Sequence, residues 1–150
     1  MDALIKVSGD LIKEERFYKW LSSISSSFNR LFILCGGGSS ITKALKEKDI
    51  PYRFGPQGRE IQSLEGKLLA KQVLEEEKVF VERKLEEMGI NATVFIPAIE
   101  IKEEIFHMNG DNYALALYPN PNLKKIYIVT LEGRAKSFPG DLNKIEVVYL

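Results

Sequence analysis

Two short apolar runs near the N-terminus each end in glycine, and both endings are suited to holding an anion. The first is Leu4-Ile5-Lys6-Val7-Ser8-Gly9-Asp10, and the second is Leu31-Phe32-Ile33-Leu34-Cys35-Gly36-Gly37-Gly38-Ser39-Ser40. Glycines at such turns let backbone N–H groups approach an anion closely, and a following helix N-terminus adds a favourable dipole. Lys6 supplies a mobile point charge of the kind that binds phosphate. An anion between the Lys6–Gly9 turn and Gly36–Ser40 is therefore the first expectation. Three consecutive glycines exceed what a turn needs and favour close approach of a ligand or a backbone. Arg59 reads either as a solvated loop residue or as a ligand contact, and Asp111 either as a helix cap or as a site carboxylate.

Other side chains carry less. Cys35 is the single cysteine, so no internal disulfide can form. That suits a reducing, cytoplasmic setting, and no positioned histidine points to a thiol nucleophile. His107 is the only histidine and has no partner at metal-ligand spacing, so no metal site is expected. Twenty-one basic residues balance 21 acidic ones, which gives no bulk attraction to nucleic acid or to an anionic membrane. No apolar run approaches the roughly 20 residues needed to span a bilayer.

The elements that must position these residues alternate between strand and helix. Residues 3–8, 30–35, 92–98 (broken at Pro97), 125–131 and 145–150 read as strands. Helical periodicity runs from Glu14 to Phe28, from Ser39 or Ser40 as cap to about Lys48, from about Ile61 to Met88, and from Asp111 to Tyr118. Pro51, Gly55, Pro56 and Gly58 mark a loop or short hairpin, Gly89 ends the long helix, and residues 132–143 form a polar loop. The 150 residues make one α/β domain: a three-layer sandwich around a mainly parallel sheet, with ligands outside the strands' carboxyl ends. Apolar positions on more than one face of the 61–88 helix suggest a homodimer or higher oligomer formed through it.

Several of these segments together resemble the amino acid kinase superfamily, with the carbamate-kinase-like fold, and within it the bacterial and archaeal uridylate kinases. The matching stretches are Lys6-Val7-Ser8-Gly9-Asp10, Gly36-Gly37-Gly38, Arg59 with Gly66 seven places on, and Leu85-Glu86-Glu87-Met88-Gly89-Ile90. Asn109-Gly110-Asp111-Asn112-Tyr113-Ala114-Leu115-Ala116 and Thr130-Leu131-Glu132-Gly133 continue the order. The resemblance implies that Lys6 contacts the transferred phosphoryl group and that Gly9, with Ser8, lines the nucleotide phosphates. It implies that Gly37 and Gly38 cradle the acceptor, that Arg59 binds an acceptor phosphate, and that Asp111 orients the lysine. ATP with Mg would be the cofactor. Members of that family carry an Asn and an Arg where this chain has Ser39-Ser40-Ile41-Thr42, and an Asp where it has Ser63. They also continue well beyond residue 135 to form an adenine pocket. The expectation is thus a truncated, degenerate kinase-like protein that binds a phosphate or phosphorylated metabolite without being an autonomous kinase. The alternatives are a phosphotransferase completed by oligomerisation or a partner chain, and a purely structural or regulatory scaffold.

Overall fold

The computed structural model describes all 150 residues. Five strands form one sheet: β1 (Asp2–Val7), β2 (Arg30–Cys35), β5 (Ala92–Phe95), β8 (Leu123–Thr130) and β9 (Ile145–Tyr149). Their order across it is β5-β2-β1-β8-β9, and every neighbouring pair is parallel. The helices are α1 (Glu15–Ser25), α2 (Gly38–Glu47), α3 (Leu64–Met88) and α4 (Gly110–Leu117). Two antiparallel hairpins stand off the sheet: β3 (Arg53–Gly55) with β4 (Gly58–Glu60), and β6 (Ala98–Ile101) with β7 (Glu104–His107).

The central strand β1 is buried on both faces, which is why its sequence is nearly unbroken in apolar residues. Ala3, Ile5 and Val7 pack with Phe17, Tyr18 and Leu21 of α1 and with Val81 and Leu85 of α3. Leu4 points the other way, into a cluster with Ala114 of α4 and Ile126 and Ile128 of β8. Strand alternation puts Lys6 on that second face, opposite Leu34 and Ile128. Helices therefore cover both faces, giving three layers. A third cluster joins Ile41 and Leu45 of α2 to Ala70 and Leu74 in the first half of α3.

From β1 the chain steps through β2 to β5, then crosses back to β8 on the other side of β1. The strand order reverses between β1 and β8, so the crevice outside their carboxyl ends is where such sheets hold ligands.

Several boundaries differ from the sequence expectation. Neither Ser39 nor Ser40 caps α2; the cap is Gly37, and Gly38 opens the helix at φ +51. The long helix starts at Leu64, where the Ser63 hydroxyl accepts from Gly66 N, and it ends at Gly89 with φ +69. The β6–β7 hairpin carries no turn signal in the sequence, because its turn is made by Lys102 at φ +56, where a glycine or asparagine would announce it. That hairpin packs on α3 through Ile105, and Ile50 with Ile61 covers its first half. Phe80 is half-buried against the main core. Much of the helix's apolar surplus is thus used within the chain, while Leu64 and Leu68 stay about half exposed.

Candidate functional site

Lys6 is the one charged side chain on an otherwise apolar stretch of β1. Its side chain is 12% exposed, and Nζ lies 3.3 Å from Asp111 Oδ1. The other oxygen of Asp111 accepts from Lys136 Nζ at 2.6 Å. Asp111 does not cap α4, because the Asn109 side chain does so by accepting from Asn112 N. Its carboxylate is instead bracketed by two ammonium groups. Burial alone would raise its pKa, but Lys6 and Lys136 outweigh that and hold it below the usual range. Burial lowers the pKa of Lys6, with the charge of Asp111 opposing it.

Glycines make room for this lysine. A Cβ at Gly110 would stand 2.6 Å from Lys6 Cε, and one at Gly36 would stand 3.5 Å from Nζ. The aliphatic stem is threaded between the loop after β2 and the start of α4. Gly9 has a different task. A Cβ there would fall 2.2 Å from the Gly36 carbonyl oxygen, so the two glycine turns pack backbone against backbone. No anion fits between them, and the expected cradle from the Lys6–Gly9 turn to Gly36–Ser40 is closed.

The N-terminus of α2 is occupied too. The Asp10 carboxylate accepts from Ser39 N at 3.3 Å and from the Ser39 hydroxyl. Arg134, from the loop after β8, donates to its other oxygen at 2.6 Å. Asp10 is the anion that the dipole and free N–H groups of this helix call for. Ser8 is spent in the same knot, accepting from Asp10 N at 3.4 Å and from Arg134 Nη1 at 3.5 Å.

What remains open is a cavity of about 210 Å³ on the other side of the triple glycine. Gly36, Gly37 and Gly38 line it together with Lys6, Arg59, His107, Asn109 and Gly110, and no carboxylate does. Arg59 extends from β4, donating through Nη2 to the Gly38 carbonyl at 3.0 Å and to Thr42 Oγ1 at 2.7 Å. Its guanidinium lies 5.2 Å from the Phe54 ring centroid. It pairs with no carboxylate, its Nε is buried without a partner, and burial lowers its pKa. His107 Nε2 lies 2.9 Å from the Lys67 carbonyl, which makes that nitrogen a donor, and burial lowers the imidazole pKa.

Of the residues singled out in the sequence, Lys6, Gly36, Gly37, Gly38 and Arg59 meet at the cavity, and Asp111 adjoins it through Lys6. Ser8, Gly9 and Ser39 lie on the far side of the loop. Nothing in the sequence marks Lys136, Arg134, Asp10 or Gly110 as participants, and His107 shows there only the lack of a metal-ligand partner. Cys35 is inert: burial, reinforced by Glu77, pushes its thiol up to about 12. No group of three or more His, Cys, Asp or Glu side chains stands close enough together to hold a metal. No helix is long and apolar enough to cross a membrane.

No family model matches the sequence. No curated protein matches it either. The fold does have solved counterparts. The smu.665 protein of Streptococcus mutans UA159 superposes with a TM-score of 0.72 at 18% identity, over 89% of this chain and 76% of that one. AlbC, a cyclodipeptide synthase from Streptomyces noursei, superposes with a TM-score of 0.52 at 13% identity, over 99% of this chain and 94% of its own. At these identities the likeness is one of fold alone.

These neighbours overturn the resemblance to amino acid kinases and uridylate kinases, and nucleotide binding falls with it. The reason lies in the glycines that carried the resemblance. Gly9 clears the Gly36 carbonyl, Gly37 clears Ile41, Gly66 clears Ile61 and Ile50, and Gly89 takes the left-handed turn that ends α3. Each meets a local steric demand that any α/β chain with these turns would impose.

Proposed function

We propose that this chain binds a small anion, inorganic phosphate or the anionic head of a small metabolite, in the cavity beneath the β3–β4 hairpin. The observation that carries this reading is the charge balance. Lys6 and Lys136 share a single carboxylate, Asp111, and Arg59, elsewhere on the cavity wall, has no anionic partner. A half-buried guanidinium left without a counter-charge is costly, and an anion entering the cavity offsets that cost. Lys6 and Arg59 would supply the charge, on a wall they share with the triple glycine. The reading is one of binding and positioning, with no transfer step assigned to these residues.

Calorimetry with inorganic phosphate tests it on the wild-type chain and on Lys6→Met and Arg59→Met. A charge-assisted hydrogen bond is worth about 1.5–3 kcal/mol, so each substitution should weaken binding by roughly 10- to 150-fold. Equal affinity in all three proteins would refute the assignment.

A further inference from the structure

Three uncharged side chains line the cavity with Lys6 and Arg59: Gln57, His107 and Asn109. The fold engages one end of each and leaves the other end free. Asn109 Oδ1 accepts from Asn112 N at 3.0 Å, and a backbone N–H as partner makes the opposite atom of the amide its nitrogen. That Nδ2 has no partner in the protein. A Cβ at Gly58 would stand 3.0 Å from it, which places it under the β3–β4 hairpin. Gln57 Oε1 accepts from Asn112 Nδ2, and the Gln57 Nε2 is left over.

His107 supplies the complementary group. Its Nε2 gives a proton to the Lys67 carbonyl at 2.9 Å, so the neutral ring presents Nδ1 as an acceptor. The wall therefore offers two uncharged donors and one uncharged acceptor, in addition to its two cations, and no carboxylate. An alkyl chain laid against these groups would displace their water and return nothing. A second carboxylate or phosphate would accept from the amides but would set its charge against the lone pair of Nδ1. A hydroxyl both accepts and donates, and so answers the amides and the imidazole alike.

Resting on the anion reading above, we infer that the ligand is an anionic head carried on a short hydroxylated body, as in the phosphate ester of a small polyol. Lys6 and Arg59 take the head, and Asn109, Gln57 and His107 take the hydroxyls. Size agrees. A dry protein cavity of about 150 Å³ accepts benzene, with six heavy atoms, so about 210 Å³ takes a head group and the first carbons of such a body.

Three probes separate the two levels of the argument: inorganic phosphate, propyl phosphate and glycerol 3-phosphate. The two esters share a three-carbon chain and differ by two hydroxyls. A neutral hydrogen bond is worth roughly 2- to 12-fold in affinity, so calorimetry on the full chain should show glycerol 3-phosphate binding about 10-fold tighter than propyl phosphate. Asn109→Ser keeps a capping oxygen for α4 and removes the amide nitrogen, so it should narrow that ratio several-fold. Lys6→Met should weaken all three probes. If propyl phosphate binds as tightly as glycerol 3-phosphate while inorganic phosphate also binds, the hydroxylated body is overturned and the anion site stands. A ratio that Asn109→Ser leaves intact would overturn the assignment of the hydroxyls to this wall. If none of the three probes binds, the anion reading itself falls, and this inference with it.

Discussion

Glu77 makes the sharpest test of the electrostatics, because it is the one carboxylate placed in the core without a cation on it. It sits on α3, 7% exposed, with Oε2 lacking any hydrogen-bond partner. Burial pushes its pKa up to about 8, and the charge of Asp10 adds to this, while Lys13 and Ser40 pull the other way. In the unfolded chain the same group titrates near 4.5. Between those values the native protein holds a proton that the unfolded chain has released, so stability must fall as pH rises. The loss begins above the unfolded value and levels off past the folded one. Integrated from pH 5 to pH 8, the linkage amounts to a few kcal/mol. Against the 5–15 kcal/mol of a typical domain this is a large fraction. Glu77→Gln keeps the shape and removes the titration. Urea unfolding followed by the fluorescence of Trp20, the single tryptophan and packed on the main core, gives the stability of both chains across this range. The variant should lie close to wild type at pH 5 and exceed it by a few kcal/mol at pH 8. His107, whose lowered pKa contributes a rise with pH, is common to both chains and cancels in the difference. Parallel pH profiles for the two proteins would show that Glu77 is ionised in the fold, and the reasoning would fail.

Two further outcomes follow from the same geometry. Gly9→Ala puts a methyl 2.2 Å from the Gly36 carbonyl oxygen, a backbone atom that cannot swing aside, so the urea midpoint should drop by the equivalent of about 1–3 kcal/mol. An unchanged midpoint would mean the two turns are not in contact. Because burial lowers the His107 pKa from 6.5, the imidazole is neutral at pH 7 and becomes a third cation on the cavity wall only in more acid solution. Sulfate, which does not titrate here, should therefore bind several-fold tighter at pH 5 than at pH 7.5, and His107→Asn should flatten that dependence. Identical sulfate affinity at the two pH values would place His107 outside the ligand's field.

The strands and helices were legible because burial imposes period and composition on them. β2 lies where the apolar run 30–35 put it, and α3 ends at the glycine that its periodicity required. What escaped was structure whose signal is weak in one dimension. The β6–β7 hairpin turns at a lysine, and its inward residue Ile105 reads as an isolated apolar position until α3 is there to receive it. Lys136 and Arg134 sit in a polar loop with no pattern of their own. They acquire roles only because β8 lies beside β1 and delivers that loop to Asp111 and Asp10.

The glycines teach the more general point about the site. The glycine turns identified Lys6 and the triple glycine, and the family resemblance singled out Arg59; these do converge on one cavity. Spacing could not say which side of the loop is open. A glycine that admits a ligand and a glycine that admits another backbone look the same in sequence, since both are selected by the absence of Cβ. What distinguishes them is the fate of the nearest helix N-terminus. Here the N–H of Ser39 is taken by Asp10, itself held by Arg134, so the anion demand of α2 is met within the chain. The unmet demand lies on the opposite side, at Arg59, whose charge no residue answers. A half-buried cation without a counter-charge is thus better evidence for a ligand than any glycine motif, because its cost is borne by the fold whether or not the ligand is there.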